Sequence, residues 1–226
     1  MFLQVIMNYL FCAYRNWNIT LFQKLSKKFN NMTLLTNPKK LTIKFVTDLN
    51  PDYIFFPDWS WIVPEQIIKK FICVCIHESN LPKFRGGSPI QNQIIRNIKK
   101  TKSTAFVMNN KLDTGDILLQ KTLSLEGNMN EIIDRITQNN YDLITKIIRG
   151  KFIQKKQSGK PTVFKRRQPS ESELESLNHS NQYIYNFIRM LQDPYPNAFL
   201  KIDGHKIIFK SVKIKGTNIH FGGVIE

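Results

Sequence analysis

Short apolar runs alternate with segments of helical periodicity through the first 150 residues of this 226-residue chain. Elements that alternate in this way form a mostly parallel sheet with helices on both faces. The predicted strands lie near residues 7–13, 32–36, 53–57, 72–77, 103–109 and 116–123. The predicted helices lie near residues 17–29, 40–49, 64–70, 88–99 and 129–149. Residues 1–150 are therefore expected to form an α/β domain with a Rossmann-like sheet.

Two of these helices carry capping signals. Ser88 is predicted to cap the fourth helix, because Pro89 suits the first helical position, where no amide donor is needed. Asn128 and Glu131 have the spacing of a capping box at the start of the fifth helix. Gly150 is predicted to end that helix.

A basic, polar segment separates this domain from a smaller C-terminal unit. Residues 151–170 are predicted to be a linker, and residues 171–226 a helix followed by a β-hairpin. The apolar face of the helix consists of Ile184, Phe187, Ile188 and Leu191. Asp203-Gly204, between two β-like runs over 199–209, is a sequence preferred in two-residue hairpin turns. Because an isolated hairpin is marginal in water, it is expected to pack on the main domain or to form a homodimer.

The first residues and the cysteines indicate the cellular compartment of the chain. Residues 1–14 are apolar, but they lack a basic start and a small-residue cleavage site and are too few to span a membrane. They are predicted to hold a buried strand. Met7 is an equally suitable start for that strand, in which case residues 1–6 are an extension of the domain. The three cysteines are an odd number, which favours a reducing, cytoplasmic compartment over a disulfide framework.

The net charge of the chain is +16, and many lysines occur in pairs such as Lys27-Lys28 and Lys155-Lys156. Such a charge attracts polyanions, including RNA, a membrane surface or a ligand with phosphate or glutamate groups. Solvated helix and loop faces explain the lysines equally well. No glycine-rich dinucleotide fingerprint or phosphate loop follows the first strand, which argues against nicotinamide and nucleoside-triphosphate chemistry.

The densest candidate site lies in residues 71–90, where a buried strand runs into a glycine-rich turn and a helix. His77 falls at the carboxyl end of that strand, where such sheets bind ligands. The imidazole can be an acid, a base or a hydrogen-bond donor, or a hydrogen-bonded structural residue. Cys73, Cys75 and His77 share one strand face, so they are also candidate zinc ligands, although a clear fourth ligand is missing.

A second candidate site is Asp113-Thr114-Gly115 at the start of the sixth strand. A carboxylate beside a histidine can fix its tautomer and stabilise its charged form. Asp, Thr and Gly are also turn formers, so these residues by themselves leave both interpretations open.

Together the two sites resemble the formyltransferases that use 10-formyltetrahydrofolate, a family that includes methionyl-tRNA, glycinamide-ribonucleotide and sugar formyltransferases. The matching residues of the first motif are His77, Ser79, Leu81-Pro82, Arg85-Gly86 and Pro89. The family's Asp-x-Gly motif is matched by Asp113-Thr114-Gly115, and the separation of 36 residues (113 − 77) is typical. The likeness covers about residues 7–170, which implies that 1–150 is a formyltransferase catalytic domain.

The resemblance implies a role for each matched position and implies no metal. The catalytic residues would be His77, Asp113 and, at the position of a usual asparagine, Cys75. The folate co-substrate would contact Trp59, Ser60, Trp61, Ile62, Arg85 and Leu112. The candidate acceptor contacts are Arg15, Ser79, Gln91, Lys165 and Arg167. Stacking of nucleic acid bases is an alternative role for the two tryptophans.

Cys75 departs from the family pattern at a critical place. In the family, asparagine and histidine donate hydrogen bonds to the oxyanion that forms when an amine attacks the formyl carbon, while aspartate supports proton transfer. A thiol is a much weaker donor than an amide. Either another donor, such as Asn80, Gln91 or a backbone amide, takes this role, or the protein is slow or inactive.

The length of the C-terminal unit decides the expected acceptor. Only 57 residues (226 − 169) follow Pro169, too few for both the helix and the complete β-barrel of the tRNA enzymes. The short unit resembles that of sugar N-formyltransferases, so the expected acceptor is the amine of a dTDP- or UDP-linked amino-dideoxy sugar. The product would feed lipopolysaccharide O-antigen or another surface glycan, and neither nucleic acid nor a membrane is expected as a partner. The alternatives are a methionyl-tRNA formyltransferase-like enzyme and a non-catalytic folate- or nucleotide-binding relative.

Overall fold

A computed structural model describes residues 7–226 of the chain, so the expected extension over residues 1–6 lies outside the described residues. The strands are β1 (Tyr9–Cys12), β2 (Met32–Leu35), β3 (Tyr53–Pro57), β4 (Cys73–His77), β5 (Arg85–Gly86), β6 (Lys100–Val107), β7 (Ile117–Ser124), β8 (Val163–Phe164), β9 (Phe199–Ile202), β10 (His205–Lys215) and β11 (Asn218–Ile225). The helices are α1 (Asn16–Ser26), α2 (Ile43–Leu49), α3 (Glu65–Lys70), α4 (Pro89–Ile94), α5 (Met129–Ile148) and α6 (Asn181–Arg189). Two 3-10 turns lie at Pro38–Lys40 and Pro169–Ser172.

The main sheet has the order β2-β1-β3-β4-β6-β7, which confirms the predicted α/β fold. β2, β1, β3 and β4 are parallel, whereas β6 runs antiparallel to both β4 and β7. The chain leaves β1 towards one edge and returns to its other side at β3, so the strand order reverses there. Loops that follow β1 and β3 therefore open a crevice at the carboxyl end of the sheet, the usual ligand position in this architecture.

Helices cover both faces of the sheet. On one face, α1 and α5 pack against the strands through Leu21, Leu25, Leu143, Ile144 and Ile147. On the other face, Val46 of α2 and Ile67 of α3 pack against strand residues that include Cys73. Among residues 7–226, no helix is both long enough and apolar enough to cross a membrane.

One of the two predicted helix starts is confirmed. Asn128 and Glu131 form the expected capping box on α5, and Gly150 follows its end with a φ of 65°. Ser88 does not cap α4, because its backbone is left-handed and its hydroxyl accepts a hydrogen bond from the amide of Arg167 at 3.1 Å. The residue therefore ties the segment after β8 to the start of α4.

The C-terminal unit is larger than the predicted hairpin. Asp203 and Gly204 form the expected turn, with φ angles of 48° and 79°, but β10 continues to Lys215 and pairs with β11 as well. The apolar face of α6 packs against residues of α4, α5 and β10 in one continuous core cluster. Arg189, which is buried, donates to the carbonyl oxygens of Leu125 at 2.6 Å and Gly127 at 3.1 Å. The unit is thus docked on the main domain.

Candidate active site

His77 ends β4 and is held by the loop that follows it. Its Nε2 atom lies 2.7 Å from the carbonyl oxygen of Phe84. Because a carbonyl oxygen can only accept, Nε2 carries the proton and donates it. The other ring nitrogen, Nδ1, lies 3.9 Å from Oδ2 of Asp113. The carboxylate was expected to fix the tautomer of this histidine, but Phe84 does so in the structure.

Asp113 is held by hydrogen bonds on both sides. Its Oδ2 atom accepts the amide hydrogen of Gly86 at 2.7 Å. Gln157 donates to the carbonyl oxygens of Asp113 at 2.9 Å and of Gly115 at 2.8 Å. Arg85 in turn donates to the Gln157 side-chain oxygen at 2.7 Å. Arg85, a predicted folate contact, thus also helps to position the aspartate.

Glycines allow the backbones around Asp113 to come this close. A Cβ atom on Gly115 would lie 1.6 Å from the carbonyl oxygen of Val107. One on Gly86 would lie 2.3 Å from that of Phe164, its parallel partner across β5 and β8, and Gly86 also has a φ of 91°. Any side chain at either position would push apart the strands that hold the aspartate. The Arg-Gly and Asp-x-Gly motifs therefore have a structural basis here.

Cys75 lies one strand repeat before His77 and packs against Leu81, Phe106 and Ile117. Burial, together with the negative charges of Asp113, Glu78 and Asp58, raises the pKa of its thiol well above the usual value. The side chain is therefore a neutral thiol and a weak donor. Among residues 7–226, no three Cys, His, Asp or Glu side chains are grouped as metal ligands would be.

A second polar cluster was not predicted. Asp58 and Glu78 follow directly after β3 and β4, and Arg15 follows β1 with its Nε atom 3.7 Å from Oδ2 of Asp58. Burial raises the pKa of Asp58 to about 6, against the opposing effects of Arg15 and Arg166. The position of both acids at strand ends was a usable sequence signal, since parallel strands present their carboxyl ends at one edge.

Glu78 is the most deeply buried acid of this cluster. It is 4% exposed, and its Oε1 atom has no hydrogen-bond partner among the described residues. Burial, together with the nearby charges of Asp58 and Asp113, raises the pKa of Glu78 well above the usual value. Burial also raises the pKa of Tyr195, which reaches the cluster from the turn after α6. No sequence signal linked Tyr195 to the ends of β1, β3 and β4.

The buried acids predict a loss of stability with rising pH. A raised pKa means that the folded state binds the proton more tightly than the unfolded state, so the contribution to stability is complete below about pH 4 and declines as pH rises. For Asp58 this decline runs from about pH 4 to about pH 6 and is complete above that pH. Glu78→Gln should raise the free energy of unfolding at pH 8 by at least about 1 kcal/mol and leave it unchanged at pH 4.

Urea unfolding of the wild type and the variant from pH 4 to 8 measures this difference. Glu175→Gln is the matched control, because Glu175 is exposed. An equal shift at all pH values, or a shift in both variants, would contradict the prediction.

The loop predicted to contact folate combines structural and exposed residues. Trp59 packs on Phe56 with ring centroids 5.9 Å apart, and the Ser60 hydroxyl bonds to Tyr14 and accepts from Arg166 at 2.8 Å. In contrast, large apolar side chains are exposed at Trp61, Ile62 and Leu112. Trp61 and Ile62 lie in the loop before α3, and Leu112 lies in the loop between β6 and β7. A hydrogen bond of 2.6 Å between Asn110 and Glu65 ties these two loops together. The exposed apolar groups are therefore on neighbouring loops beside the Asp113 turn.

The predicted acceptor contacts do not form one surface. Ser79 is fully buried and donates to the carbonyl oxygen of Lys83 at 2.8 Å, so its hydroxyl closes a turn and is not free for a substrate. Gln91 is buried, and its Nε2 atom has no partner among the described residues. Arg167 donates to the carbonyl oxygen of Glu171, and Lys165 is exposed. Only Arg15 and Gln91 point to the cluster around Asp58.

The segment over 151–170, which was predicted to be a linker, completes the site. Gln157 holds the Asp113 turn, and β8 pairs with β5. The hydroxyl of Thr162 accepts the amide hydrogen of Phe84 at 2.8 Å. This segment therefore closes over the loop between β4 and α4, and its contacts could not be foreseen from its polar composition.

The formyl transferase family profile matches residues 23–148, which is more than half of the 226-residue chain. The chain belongs to the formyl transferase family, as the resemblance predicted. The profile of the methionyl-tRNA formyltransferase C-terminal domain matches residues 169–221.

The chain is similar along almost its whole length to the structure of a methionyl-tRNA formyltransferase from Clostridium thermocellum. The identity is 39%, the TM-score is 0.92, and the match covers 97% of this chain and 99% of the other. A methionyl-tRNA formyltransferase of Bacillus mycoides is 33% identical over 170 residues, which are 72% of this chain and 54% of the relative. The chain thus spans about half the length of the curated relatives it matches.

The sugar acceptor expected from the sequence is wrong. A sugar N-formyltransferase from Shewanella is only 21% identical, with a TM-score of 0.71 over 91% of this chain and 97% of the other, so this likeness shows the fold alone. The argument from a short C-terminal unit fails because the Clostridium thermocellum protein has nearly the same length.

Proposed function

We propose that this protein transfers the formyl group of 10-formyltetrahydrofolate to the primary amine of an aminoacylated tRNA, with methionyl-tRNA as the acceptor. The near-full-length similarity to the Clostridium thermocellum protein is the observation that carries this proposal. The net charge of +16 supports it, because association with a nucleic acid is dominated by neutralised phosphates. Homodimer formation stays a prediction.

The folate would lie against the exposed apolar side chains of Trp61, Ile62 and Leu112. A flat heterocycle gains free energy when it covers such groups, since most small-molecule sites are largely apolar with a few polar contacts. The loops that carry these residues are tied together beside Asp113, so a ring bound there would hold its formyl group near the carboxylate.

The chemistry follows from the positions of His77 and Asp113. The acceptor amine attacks the formyl carbon, a C–N bond forms, and the carbonyl becomes an oxyanion. Asp113 Oδ2 takes the proton from the resulting ammonium group. The unprotonated Nδ1 atom of His77, 3.9 Å away, is a second acceptor for hydrogen bonds of this group. The bond from the formyl carbon to N10 of the folate then breaks, and N10 receives the proton. The bond from Nε2 to Phe84 keeps the imidazole oriented with Nδ1 towards the reacting atoms.

Formylation of aminoacylated tRNA tests this proposal. Purified protein with 10-formyltetrahydrofolate should formylate methionyl-tRNA, but neither deacylated tRNA nor methionyl-tRNA whose amine is blocked. The KM for the tRNA should rise steeply with salt, because phosphate contacts release counterions, whereas the KM for folate should change little. Transfer to free amino sugars without transfer to methionyl-tRNA would contradict it.

A further inference from the structure

A basic pocket is lined in part by Leu81, Pro82 and Lys83 of the loop that carries Phe84. Its volume is about 280 Å³, and five lysines line it: Lys83, Lys102, Lys155, Lys156 and Lys160. The lysines come from the loop after β4, from β6 and from the segment after α5. Residues that are distant along the chain therefore converge on one small cavity.

No acidic side chain of the described residues lines this pocket. None of the five lysines forms an ion pair within residues 7–226, whereas other lysines such as Lys44 and Lys69 do. Lys102 donates only to the neutral side chain of Gln120, at 3.0 Å. Like charges that converge without a counter-charge repel one another, and a bound anion would relieve that repulsion.

The size and lining of the pocket indicate the chemistry of the anion. Its volume is slightly below the range for drug-sized ligands, which is about 300–1,000 Å³. Ammonium groups are compact charges that bind phosphate without demanding a planar partner. Asn80 and Ser158 add neutral hydrogen-bonding groups. This combination suits a short run of phosphate groups better than a heterocyclic ring.

We propose that this pocket binds two or more adjacent phosphate groups, and that these are phosphodiesters of the nucleic acid acceptor. The inference that the phosphate groups belong to a nucleic acid rests on the proposed function. The inference that the pocket binds phosphate rests on the pocket alone.

The pocket is linked to the catalytic aspartate through the segment 154–160. Gln157 in the middle of this segment holds the carbonyl oxygens of Asp113 and Gly115, and Gln154 donates to Asp116 at 3.0 Å. The lysines on either side of Gln157 line the pocket. Phosphate bound to these lysines therefore holds the same segment that positions Asp113. The pocket is a positioning site for the acceptor and takes no part in proton transfer.

A charge-matched pair of triple variants tests this site. Lys155→Gln, Lys156→Gln and Lys160→Gln remove three charges from the pocket, while Lys27→Gln, Lys39→Gln and Lys40→Gln remove three exposed charges elsewhere. Binding of inorganic tripolyphosphate and of a deacylated acceptor-arm RNA hairpin would be measured at two salt concentrations. The pocket variant should bind both probes at least about tenfold more weakly, with a salt slope for RNA reduced by about 3, and the control should change less than about threefold.

The results separate the site from the proposed function. A wild type that binds tripolyphosphate through the pocket but neither binds the hairpin nor formylates methionyl-tRNA would support the phosphate site and contradict the proposed nucleic acid acceptor. With methionyl-tRNA as substrate, the pocket variant should raise the KM for tRNA at least about tenfold and leave the KM for folate unchanged. Equal weakening in both triple variants would overturn the site, because binding would then follow net charge alone. A rise only in the KM for a polyglutamylated folate would also overturn it, because the anion would be a carboxylate tail.

Discussion

Asp113→Asn is expected to lower kcat about 10³-fold, with a KM for folate that stays within about threefold. The amide cannot accept the proton of the attacking amine, and loss of a positioned general base typically costs about 10²–10⁴-fold. The substitution keeps the size of the side chain and one oxygen for the amide hydrogen of Gly86. The fold should therefore persist, and single-turnover kinetics would show the loss in the chemical step.

Asp116→Asn is the matched control for this experiment. Asp116 lies three residues away, where its side chain accepts a hydrogen bond from Gln154. We expect its kcat to stay within about threefold of the wild type. His77→Ala combined with Asp113→Asn should cost little more than the larger single effect, because residues that act as a unit are not additive. A kcat within tenfold of the wild type for Asp113→Asn would remove the aspartate from the mechanism.

Cys75→Asn is expected to raise kcat about 10²-fold. The thiol is neutral and a weak donor, and one well-placed oxyanion donor is typically worth about 10²–10³-fold in kcat. The structure also limits the substitutes considered from the sequence. The side-chain oxygen of Asn80 accepts from Gln120 at 3.4 Å, and Asn80 faces the lysine pocket. Gln91 is buried, and its side chain belongs to the cluster around Tyr195.

Cys75→Ala separates a missing donor from an active thiol. We expect its kcat to lie within about threefold of the wild type, since the alanine removes only a weak donor. A loss of more than 100-fold would show that the thiol itself takes part in the reaction. An asparagine variant with unchanged kcat, although correctly folded by circular dichroism, would show that another group already donates to the oxyanion.

The fold was predictable because its signals are local. Apolar periodicity located every strand of the main sheet within a few residues, and the capping box and Gly150 located the ends of α5. The orientation of β6 and the third strand of the C-terminal sheet were not predicted. Both depend on pairing between distant segments, which periodicity does not encode.

The candidate site was predictable only in part. The motifs brought His77 and Asp113 to attention because their spacing in the sequence resembles that of a family. Gln157, which holds the Asp113 turn, lies in a polar segment that carries no pattern. The acceptor was predicted wrongly from chain length, since length reports how much chain is present and not what its surface binds.

The sequence by itself determined the strands of the main sheet, the family and the two residues proposed for proton transfer, because helix periods, capping residues and short motifs act between near neighbours. Only the tertiary structure decided which groups meet at the carboxyl end of the sheet. It buried Glu78 and partly buried Cys75, which raises their pKa values, and it gathered five lysines around one pocket. The physical reason is that burial and charge clustering depend on which distant segments pack together, and these are properties of the folded chain alone.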